Sequence, residues 1–498
     1  MEGREIEGKE ISGSMEYAAS QGVEYRVKWL VMAAVGMGIF LATIDGSIVN
    51  VALPTLGSAF AANFATLQWV VLAYLVTIST LMLSVGRLAD MIGKKTIYAS
   101  GFMVFTLGSV LCGLSPTVYW LIGARILQAL GAAMVMALGT AIIIEAFPPQ
   151  EWGRALGISG SIVSVGIVIG PTLGGLILQS LSWHWIFFVN LPVGVIGTWM
   201  VMRYVPGIRP REKQQFDFLG ALVLLAALLC LLMGLTLGQE RGFGEPLVLG
   251  LFIGFVLASG IFVQIERRAR QPMIDLNLFR NQLFSINLVT AMMVFICSAG
   301  TVILMPFYLE NVLGYEPRMV GMLLSVVPVM LGITSPISGA ASDRFGTRRI
   351  ATLGLGMLLL GYLGLRSLSD HTSALGYALR FVPIGLGFGI FQSPNNTAIM
   401  SAAPSQQTGV VSGMLALSRT LGQTTGIAIL GAVWASLVTF HAGSPLPGGA
   451  TEAPAELQVI ALQETFLVIS GIIAVAVGLS AWATIKSEKA AGDEPQHH

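Results

Sequence analysis

Long apolar runs recur along the chain from residue 29 to residue 484. A helix needs about 20 consecutive apolar residues to cross a bilayer. Fourteen runs approach or exceed that length. They cover residues 29–52, 66–86, 97–114, 117–145, 155–179, 185–203, 218–237, 246–265, 283–309, 319–341, 350–367, 374–401, 409–438 and 460–484. None alternates with the period of two that is typical of barrel strands, so the pattern predicts an all-α polytopic membrane protein with fourteen spans.

The composition agrees with this prediction. Hydrophobic residues make up 54% of the chain and charged residues 11%, and the mean hydropathy is +0.78. A soluble domain carries about 25% charged residues. The net charge of +1 offers no basic surface for nucleic acid, so the expected partners are the lipid bilayer and small molecules. The cysteines Cys112, Cys230 and Cys297 lie in apolar runs and are expected to be buried apolar side chains, without a disulfide or metal site.

The basic residues predict the orientation. An even number of spans places both termini on one side, and the tails and loops on that side hold nearly all of the Lys and Arg residues. The opposite side holds only Arg241, Arg318 and Arg366. Because Lys and Arg accumulate in cytoplasmic loops, both termini are expected in the cytoplasm. The polar residues 1–28 lack the apolar segment of a cleavable signal peptide and are predicted to form a cytoplasmic tail.

An internal repeat divides the chain. Gly86–Lys95 (GRLADMIGKK) follows the second run, and Gly339–Arg349 (GAASDRFGTRR) follows the tenth. Both have the order glycine, three residues, aspartate, two residues, glycine and then bases. The repeat predicts two six-helix bundles, residues 29–203 and 283–485. A linker of residues 204–282 contributes two extra spans, and residues 486–498 form a cytoplasmic tail. Paired bundles of this kind are typical of secondary transporters.

Asp45 interrupts the first apolar run. A charged group at the centre of a spanning helix costs roughly 2.5–3.5 kcal/mol, so acids there are usually paired, neutralised or used. Burial favours the protonated form, so Asp45 could bind either a proton or a cationic substrate. Competition between those two ligands is sufficient for antiport. The alternative is a neutral aspartic acid that only hydrogen-bonds a neighbouring helix.

Two other charged residues are candidates for proton coupling. Arg125, in the fourth run, stays charged and therefore needs hydrogen-bond acceptors from an acid, carbonyl groups or water. It is a candidate partner of Asp45. The alternative is a helix-packing residue bonded to backbone carbonyls. Glu310, at the outer end of the ninth run, is a second protonatable candidate, an external gate or a solvated helix end.

Short motifs suggest helix contacts and a conformational latch. Gly166–Gly175 (GIVIGPTLGG) removes side chains from a face of the fifth span, which favours a close helix contact; its candidates are Gly166, Gly170, Pro171, Gly174 and Gly175. The repeated loops are predicted to be short cytoplasmic turns whose acids cap a helix or pair with a base. Their latch candidates are Gly86, Asp90, Gly93, Lys94, Asp343 and Arg348.

Polar or amphipathic residues within spans could line a cavity: Asn50, Gln68, Trp69, Tyr74, Gln392 and Asn395. No phosphate-binding Gly-Lys-Ser/Thr loop is present, and the histidines do not combine with acids at metal spacing. We therefore expect no enzyme activity, no metal and no cofactor other than the coupling proton.

Five segments together resemble the fourteen-span drug:proton antiporter branch of the major facilitator superfamily, over nearly all of residues 29–485. They are Ile44–Pro54 (IDGSIVNVALP), Gly86–Lys95, Leu121–Ala133 (LIGARILQALGAA), Gly166–Gly175 and Trp183–Gly194 (WHWIFFVNLPVG). The departures are Ile44, Ser47, Met91, Ala129 and His184. The position of Glu310 is usually glutamine in this branch.

The resemblance implies a major facilitator fold with alternating access and proton-driven export. In it the aspartate of the first span, here Asp45, titrates or binds the cation, and Arg125 lies near the proton path. The sequence thus predicts a monomeric, bacterial plasma-membrane exporter of amphipathic, cationic drugs or toxic compounds. Export of a specific neutral or anionic metabolite, antibiotic or lipid is the alternative; an importer or uniporter, and a receptor that transports nothing, are weaker ones.

Overall fold

A computed structural model describes residues 27–62, 64–207, 216–269, 272, 274–404, 407–443, 450 and 453–492, and within these ranges the regular structure is helical. Of the predicted tails, residues 1–28 and 486–498, the parts at 1–26 and 493–498 lie outside the described residues, and residues 486–492 continue the last helix. The long helices, named α1 to α14, are Lys28–Phe60, Phe64–Ile92, Lys94–Gly113, Val118–Ala146, Trp152–Ser180, Asn190–Tyr204, Phe218–Arg241, Pro246–Arg268, Gln282–Phe307, Val326–Phe345, Thr347–Leu365, Ala374–Ser401, Thr408–Ala442 and Ala455–Gly492. Short helices Trp185–Phe188 and Pro317–Leu324 precede α6 and α10, and a π-helical turn, Tyr308–Val312, continues α9.

The fourteen predicted spans are confirmed as helices long and apolar enough to cross a membrane. Several helices run past the apolar runs that predicted them. The second run ends at residue 86, whereas α2 continues to Ile92, and α3 begins at Lys94. The predicted loop at Gly86–Lys95 is therefore wrong, because a hydropathy pattern ends where polar residues begin although the helix continues. Gly339–Phe345 likewise belongs to α10.

The two repeats share a backbone feature. Gly93 ends the α2–α3 connection with φ 113°, and Gly346 ends the α10–α11 connection with φ 90°. Side chains disfavour such positive φ values, so glycine is required at the point where the chain reverses direction. The connections are thus single-residue turns, and the acids Asp90 and Asp343 lie on the preceding helices.

The helices form two compact units that do not follow chain order. The first contains residues 27–62, 64–155, 169–207, 216, 404 and 407–413 of the described chain. The second contains residues 156–168, 217–269, 272, 274–403, 414–443, 450 and 453–492. Both α5 and α13 therefore contribute one part to each unit. The predicted domain boundaries at residues 28, 203, 282 and 485 stay predictions.

Small residues set the helix spacing in the first unit. A Cβ atom at Gly108 of α3 would lie 2.5 Å from the Cα of Gln128 in α4, and Gly131 of α4 meets the backbone of Phe105 equally closely. Membrane helices gain stability from such close backbone approach. The glycines of α3 and α4 thus bring polar side chains on the two helices within reach of each other.

In the second unit, a serine on α5 supplies a hydrogen bond that a proline on α10 cannot make. Pro336 lies inside α10 and has no N–H to donate to the carbonyl of Gly332. Ser161 of α5 donates its hydroxyl to that carbonyl at 2.6 Å. One turn along, Ser164 donates to the carbonyl of Pro328. These bonds hold the first half of α5 against α10 without any charged group.

The two inserted helices also lie in the second unit. Helices α7 and α8 pack together, with Phe243 stacked near Phe252 and Cys230 beside Gly254. Helix α8 exposes large apolar side chains along its length, among them Leu249, Ile253, Val256, Leu257 and Ile261. An exposed apolar surface of this extent suits contact with lipid.

Candidate functional site

The candidate site is a buried polar network centred on Asp45 in the middle of α1. Its carboxylate accepts three hydrogen bonds: from Arg125 Nη1 at 2.6 Å, from Gln128 Nε2 at 2.8 Å and from Asn190 Nδ2 at 2.9 Å. Helices α4 and α6 supply these donors. An ionised carboxylate is purely an acceptor, so three donors match its charged form.

Arg125 is almost completely buried, at 1% exposure, and its positive charge has several partners. Besides Asp45, it donates Nη1 to Gln128 Oε1 at 2.6 Å and Nε to the carbonyl of Val70 at 3.1 Å. Its guanidinium lies 4.0 Å from the centre of the Tyr74 ring, a cation–π arrangement. Together these contacts fix the guanidinium against α1 and α2.

Gln128 and Asn190 join the site although the sequence prediction did not include them. Gln128 also donates to Ser109 Oγ at 2.8 Å, and Asn190 lies 3.4 Å from the same hydroxyl. Gln128 is three residues after Arg125, on the same helix face, and that spacing was a usable signal. Asn190 belongs to the Trp183–Gly194 segment of the family resemblance, but that segment did not mark it as a partner of Asp45. Uncharged polar residues are common in spans, so nothing in the sequence distinguished Ser109.

The network gives protonation a structural consequence. All three donors point at the two oxygens of one carboxylate, and a proton on either oxygen introduces a further donor there. A neutral carboxyl group accepts hydrogen bonds more weakly than a carboxylate, so binding of a proton would weaken the bonds from these donors. Since the donors come from α4 and α6 and the acid from α1, the proton state of Asp45 is linked to contacts among these three helices.

The second half of α5 packs against the segment of α1 that carries Asp45. A Cβ atom at Gly170 would overlap the Ser47 hydroxyl, and one at Gly174 would lie 2.8 Å from Ile48 Cγ1. Gly175 has open space around it, and Pro171 is exposed on the helix. Gly166 is buried in the other unit. The first two glycines thus allow the contact beside Asp45; the function of the whole motif stays a prediction.

Asp90, a latch candidate, caps a helix from a distant part of the chain. Its carboxylate oxygens accept the backbone N–H groups of Gly409 and Val410, each at 2.9 Å, in the first turn of α13. Lys94 bridges Asp90 and Glu145 with two contacts of 2.8 Å. A carboxylate at a helix N-terminus meets unpaired N–H groups and the positive end of the helix dipole.

The remaining latch candidates lie around these contacts and in the second repeat. At Gly86, a Cβ atom would be 2.5 Å from the carbonyl oxygen of Gly409, so α2 and α13 touch through their backbones. Asp343, at the end of α10, and Arg348, in the first turn of α11, are half-buried. The latch function of both repeated motifs stays a prediction.

The other predicted residues are scattered. Glu310, in the π-helical turn after α9, is exposed, and so is Asn50. Trp69 is half-buried, and Tyr74 is buried against Arg125. The side chain of Gln68 lies outside the described residues. Gln392 and Asn395 are buried in α12. Proton coupling by Glu310 and a cavity lined by the others stay predictions.

The family model of the Major Facilitator Superfamily matches residues 35–427. The chain belongs to that superfamily. It is therefore a membrane transporter and not an enzyme.

Two relatives resemble the chain over most of their length. The riboflavin transporter RibZ of Clostridioides difficile is 33% identical over 83% of this chain and 90% of its own. The multidrug resistance protein Stp of Mycobacterium tuberculosis is 36% identical over 82% of this chain and 76% of its own. Relatives with multidrug resistance names support the efflux branch that the sequence resemblance indicated.

A solved structure supports the fold. The proton:xylose symporter XylE superposes with a TM-score of 0.65 at 13% identity, covering 91% of this chain and 94% of its own. At that identity the likeness concerns the fold alone, and it agrees with the predicted major facilitator architecture.

Proposed function

We propose that the protein is a proton-coupled antiporter that exports amphipathic, cationic compounds from the cytoplasm by alternating access. The observation that carries the proposal is the buried Asp45 carboxylate, held by Arg125, Gln128 and Asn190. It is an acid in a membrane span, and its three donors stabilise a charged carboxylate more than a neutral one. The multidrug resistance relatives support a broad range of organic substrates.

The proposed cycle uses competition at one carboxylate. A cationic substrate from the cytoplasm or the inner leaflet meets ionised Asp45 and loosens its contact with Arg125. After the transporter opens outward, an external proton neutralises Asp45 and the substrate leaves. The neutral form returns and releases its proton inside, where the Arg125 and Asn190 donors stabilise the ionised carboxylate again.

Charge balance defines what drives the cycle. Exchange of one proton for one monovalent cation moves no net charge, so the pH gradient alone would drive it. A divalent cation would require a second acid, for which Glu310 is the candidate. In a cycle that moves net charge, a membrane potential of 100 mV contributes about 2.3 kcal/mol per charge moved.

We also propose that the protein is a plasma-membrane monomer with both termini in the cytoplasm. Thiol labelling of single-cysteine tail variants would test the location of the termini, and mass measurement in detergent would test the oligomeric state.

The test is transport by purified protein in proteoliposomes. With an imposed pH gradient, wild-type protein should move the cationic dye ethidium against its concentration gradient. Asp45→Asn should abolish the gradient-driven component. Asp370→Asn, the same substitution in an exposed loop, is the matched control and should transport normally. Full gradient-driven transport by Asp45→Asn would contradict the proposed mechanism.

A neutral or anionic substrate is the second candidate, favoured by the resemblance to a protein named as a riboflavin transporter. The same proteoliposomes test it with radiolabelled riboflavin in place of ethidium. Riboflavin flux that persists in Asp45→Asn, with no ethidium flux in wild type, would favour a specific transporter of a neutral compound.

A further inference from the structure

Three uncharged side chains in the second unit are buried with polar atoms that have no partner among the described residues. They are the Ser335 hydroxyl, Gln392 Oε1, and both the Nδ2 and the Oδ1 of Asn395. Ser335 is 0% exposed, Asn395 1% and Gln392 8%. A buried polar group without a partner costs about 1–3 kcal/mol, so four such atoms in one region require an explanation.

Ser335 and Gln392 face one place between α5, α10 and α12, and helical spacing puts Asn395 on the same side of α12. Ser335 projects from α10 towards Gly160 of α5, where a Cβ atom would overlap its hydroxyl. The same Cβ position lies 3.8 Å from Gln392 Oε1 of α12. Asn395 is three residues further along α12 and shares the face of Gln392. The absence of a side chain at Gly160 therefore admits the Ser335 hydroxyl between the two helices, close to Gln392 Oε1.

Close backbone packing keeps the three side chains in position. Ser338 of α10 donates its hydroxyl to the carbonyl of Gly389 in α12 at 2.7 Å, and a Cβ atom at Gly389 would overlap the Thr334 hydroxyl. Ser161 holds α5 to α10 through the carbonyl of Gly332. The polar atoms are thus fixed in a preorganised arrangement, which lowers the cost of binding a guest.

We propose that Ser335, Gln392 and Asn395 form a subsite for an uncharged amide or imide group of the transported molecule. The unpaired atoms include two amide oxygens that accept, an amide nitrogen that donates, and a hydroxyl that does either. An amide presents a donor and an acceptor side by side and complements this set. The inference rests on the proposed transport of small organic molecules, and it adds a substrate class that the charge of Asp45 does not select.

The test is binding of four matched probes to the detergent-purified full chain by calorimetry. The probes are 3-carbamoyl-N,N,N-trimethylanilinium, its 3-acetyl analogue, 3-tert-butylbenzamide and 3-tert-butylacetophenone. Acetyl replaces the amide donor with a methyl group, and tert-butyl replaces the cation with a neutral group of the same shape. Wild-type protein should bind each amide about tenfold tighter than its ketone, since one acceptor is left unpaired with the ketone.

The variant Gln392→Met/Asn395→Leu should reduce the amide-to-ketone ratio to less than about twofold and leave ketone affinity unchanged. Its thermal stability should equal or exceed that of wild type, because Gln392 Oε1 and both polar side-chain atoms of Asn395 have no partner to lose. Thr397→Val on α12 is the matched control: its hydroxyl already donates to the carbonyl of Ser393, and the ratio should stay tenfold.

Equal binding of amide and ketone by wild type, no binding of either amide, or full amide preference in the double variant would each overturn the subsite. Equal binding would mean that internal water satisfies these groups. The proposed cation transport fails separately. Its failure would appear as equal affinity for the trimethylammonium and tert-butyl probes, with the amide preference intact.

Discussion

The charge pair between Asp45 and Arg125 should be measurable as a stability coupling. Asp45→Asn removes the negative charge but leaves the buried guanidinium in place, and one amide oxygen cannot satisfy three donors. Breaking a buried pair on one side costs about 3–5 kcal/mol. Arg125 keeps the Val70 carbonyl, Gln128 Oε1 and the Tyr74 ring, so we expect the low end, about 3 kcal/mol.

Removing both charges should be far less costly than removing either one. Arg125→Met alone leaves Asp45 with only the two neutral donors, Gln128 and Asn190, and should again cost about 3 kcal/mol. In Asp45→Asn/Arg125→Met no buried charge remains, and a flexible apolar side chain fills the volume of the arginine. We expect the double variant within about 1–2 kcal/mol of wild type, a coupling of roughly 4 kcal/mol.

The assay is SDS-induced unfolding of the detergent-purified protein, with the four members of the cycle compared under one condition. Asp370→Asn, in an exposed loop, is the control and should change the free energy of unfolding by less than about 0.5 kcal/mol. A coupling below about 0.5 kcal/mol would refute the reasoning, since it would mean that Asp45 is already neutral in the folded protein. The double variant should fold yet lack pH-driven ethidium transport, which separates the structural from the functional role of the pair.

Three further predictions concern the helix contacts. Gly170→Ala should destabilise the protein by about 1–3 kcal/mol, because its methyl group would overlap the Ser47 hydroxyl. Gly175→Ala should leave the stability unchanged, because Gly175 has open space around it. Equal effects of the two substitutions in thermal unfolding would contradict this contact. Asp90→Ala should lower the stability by about 1–2 kcal/mol in the same measurement, because the first turn of α13 loses its cap. Asp90→Asn should have an intermediate effect, because its side chain keeps one acceptor oxygen. Unchanged melting temperatures of both variants would exclude the cap. Ser161→Ala should lower the free energy of SDS unfolding by about 1 kcal/mol, because the Gly332 carbonyl loses its hydrogen bond. In a Pro336→Ala background the same substitution should have no effect, because the backbone N–H of Ala at position 336 can donate to that carbonyl instead.

The sequence predicted the number of spans because a bilayer demands long apolar helices, and these are the strongest pattern a chain can show. It placed helix ends less well. Helix α1 runs to Phe60 and α14 to Gly492, both eight residues past the apolar runs, because hydropathy records where the lipid ends and not where the helix ends. Gly93 and Gly346 mark the true turns through their positive φ.

For the site, charge was the useful signal. Asp45 and Arg125 were predictable because each is an expensive residue in an apolar run, and the structure places them 2.6 Å apart. Gln128 had only its spacing from Arg125 as a signal, and the roles of Asn190 and Ser109 depend on helices brought together from positions up to 145 residues apart. Only the close approach of α3 and α4 at Gly108, and the packing of α1 with α6, gathers them around one carboxylate.

The cap on α13 also has a consequence for synthesis. Asp90 and its partner at Gly409 are 319 residues apart, so a ribosome working at about 5–20 residues per second makes the second roughly 15–60 s after the first. During that interval Asp90 already has Lys94, four residues away across the Gly93 turn, and Lys94 also reaches Glu145. The positive charge of Lys94 thus pairs with both Asp90 and Glu145 before α13 has been synthesised. A ribosome-bound chain that ends before residue 409 should therefore already contain these ion pairs.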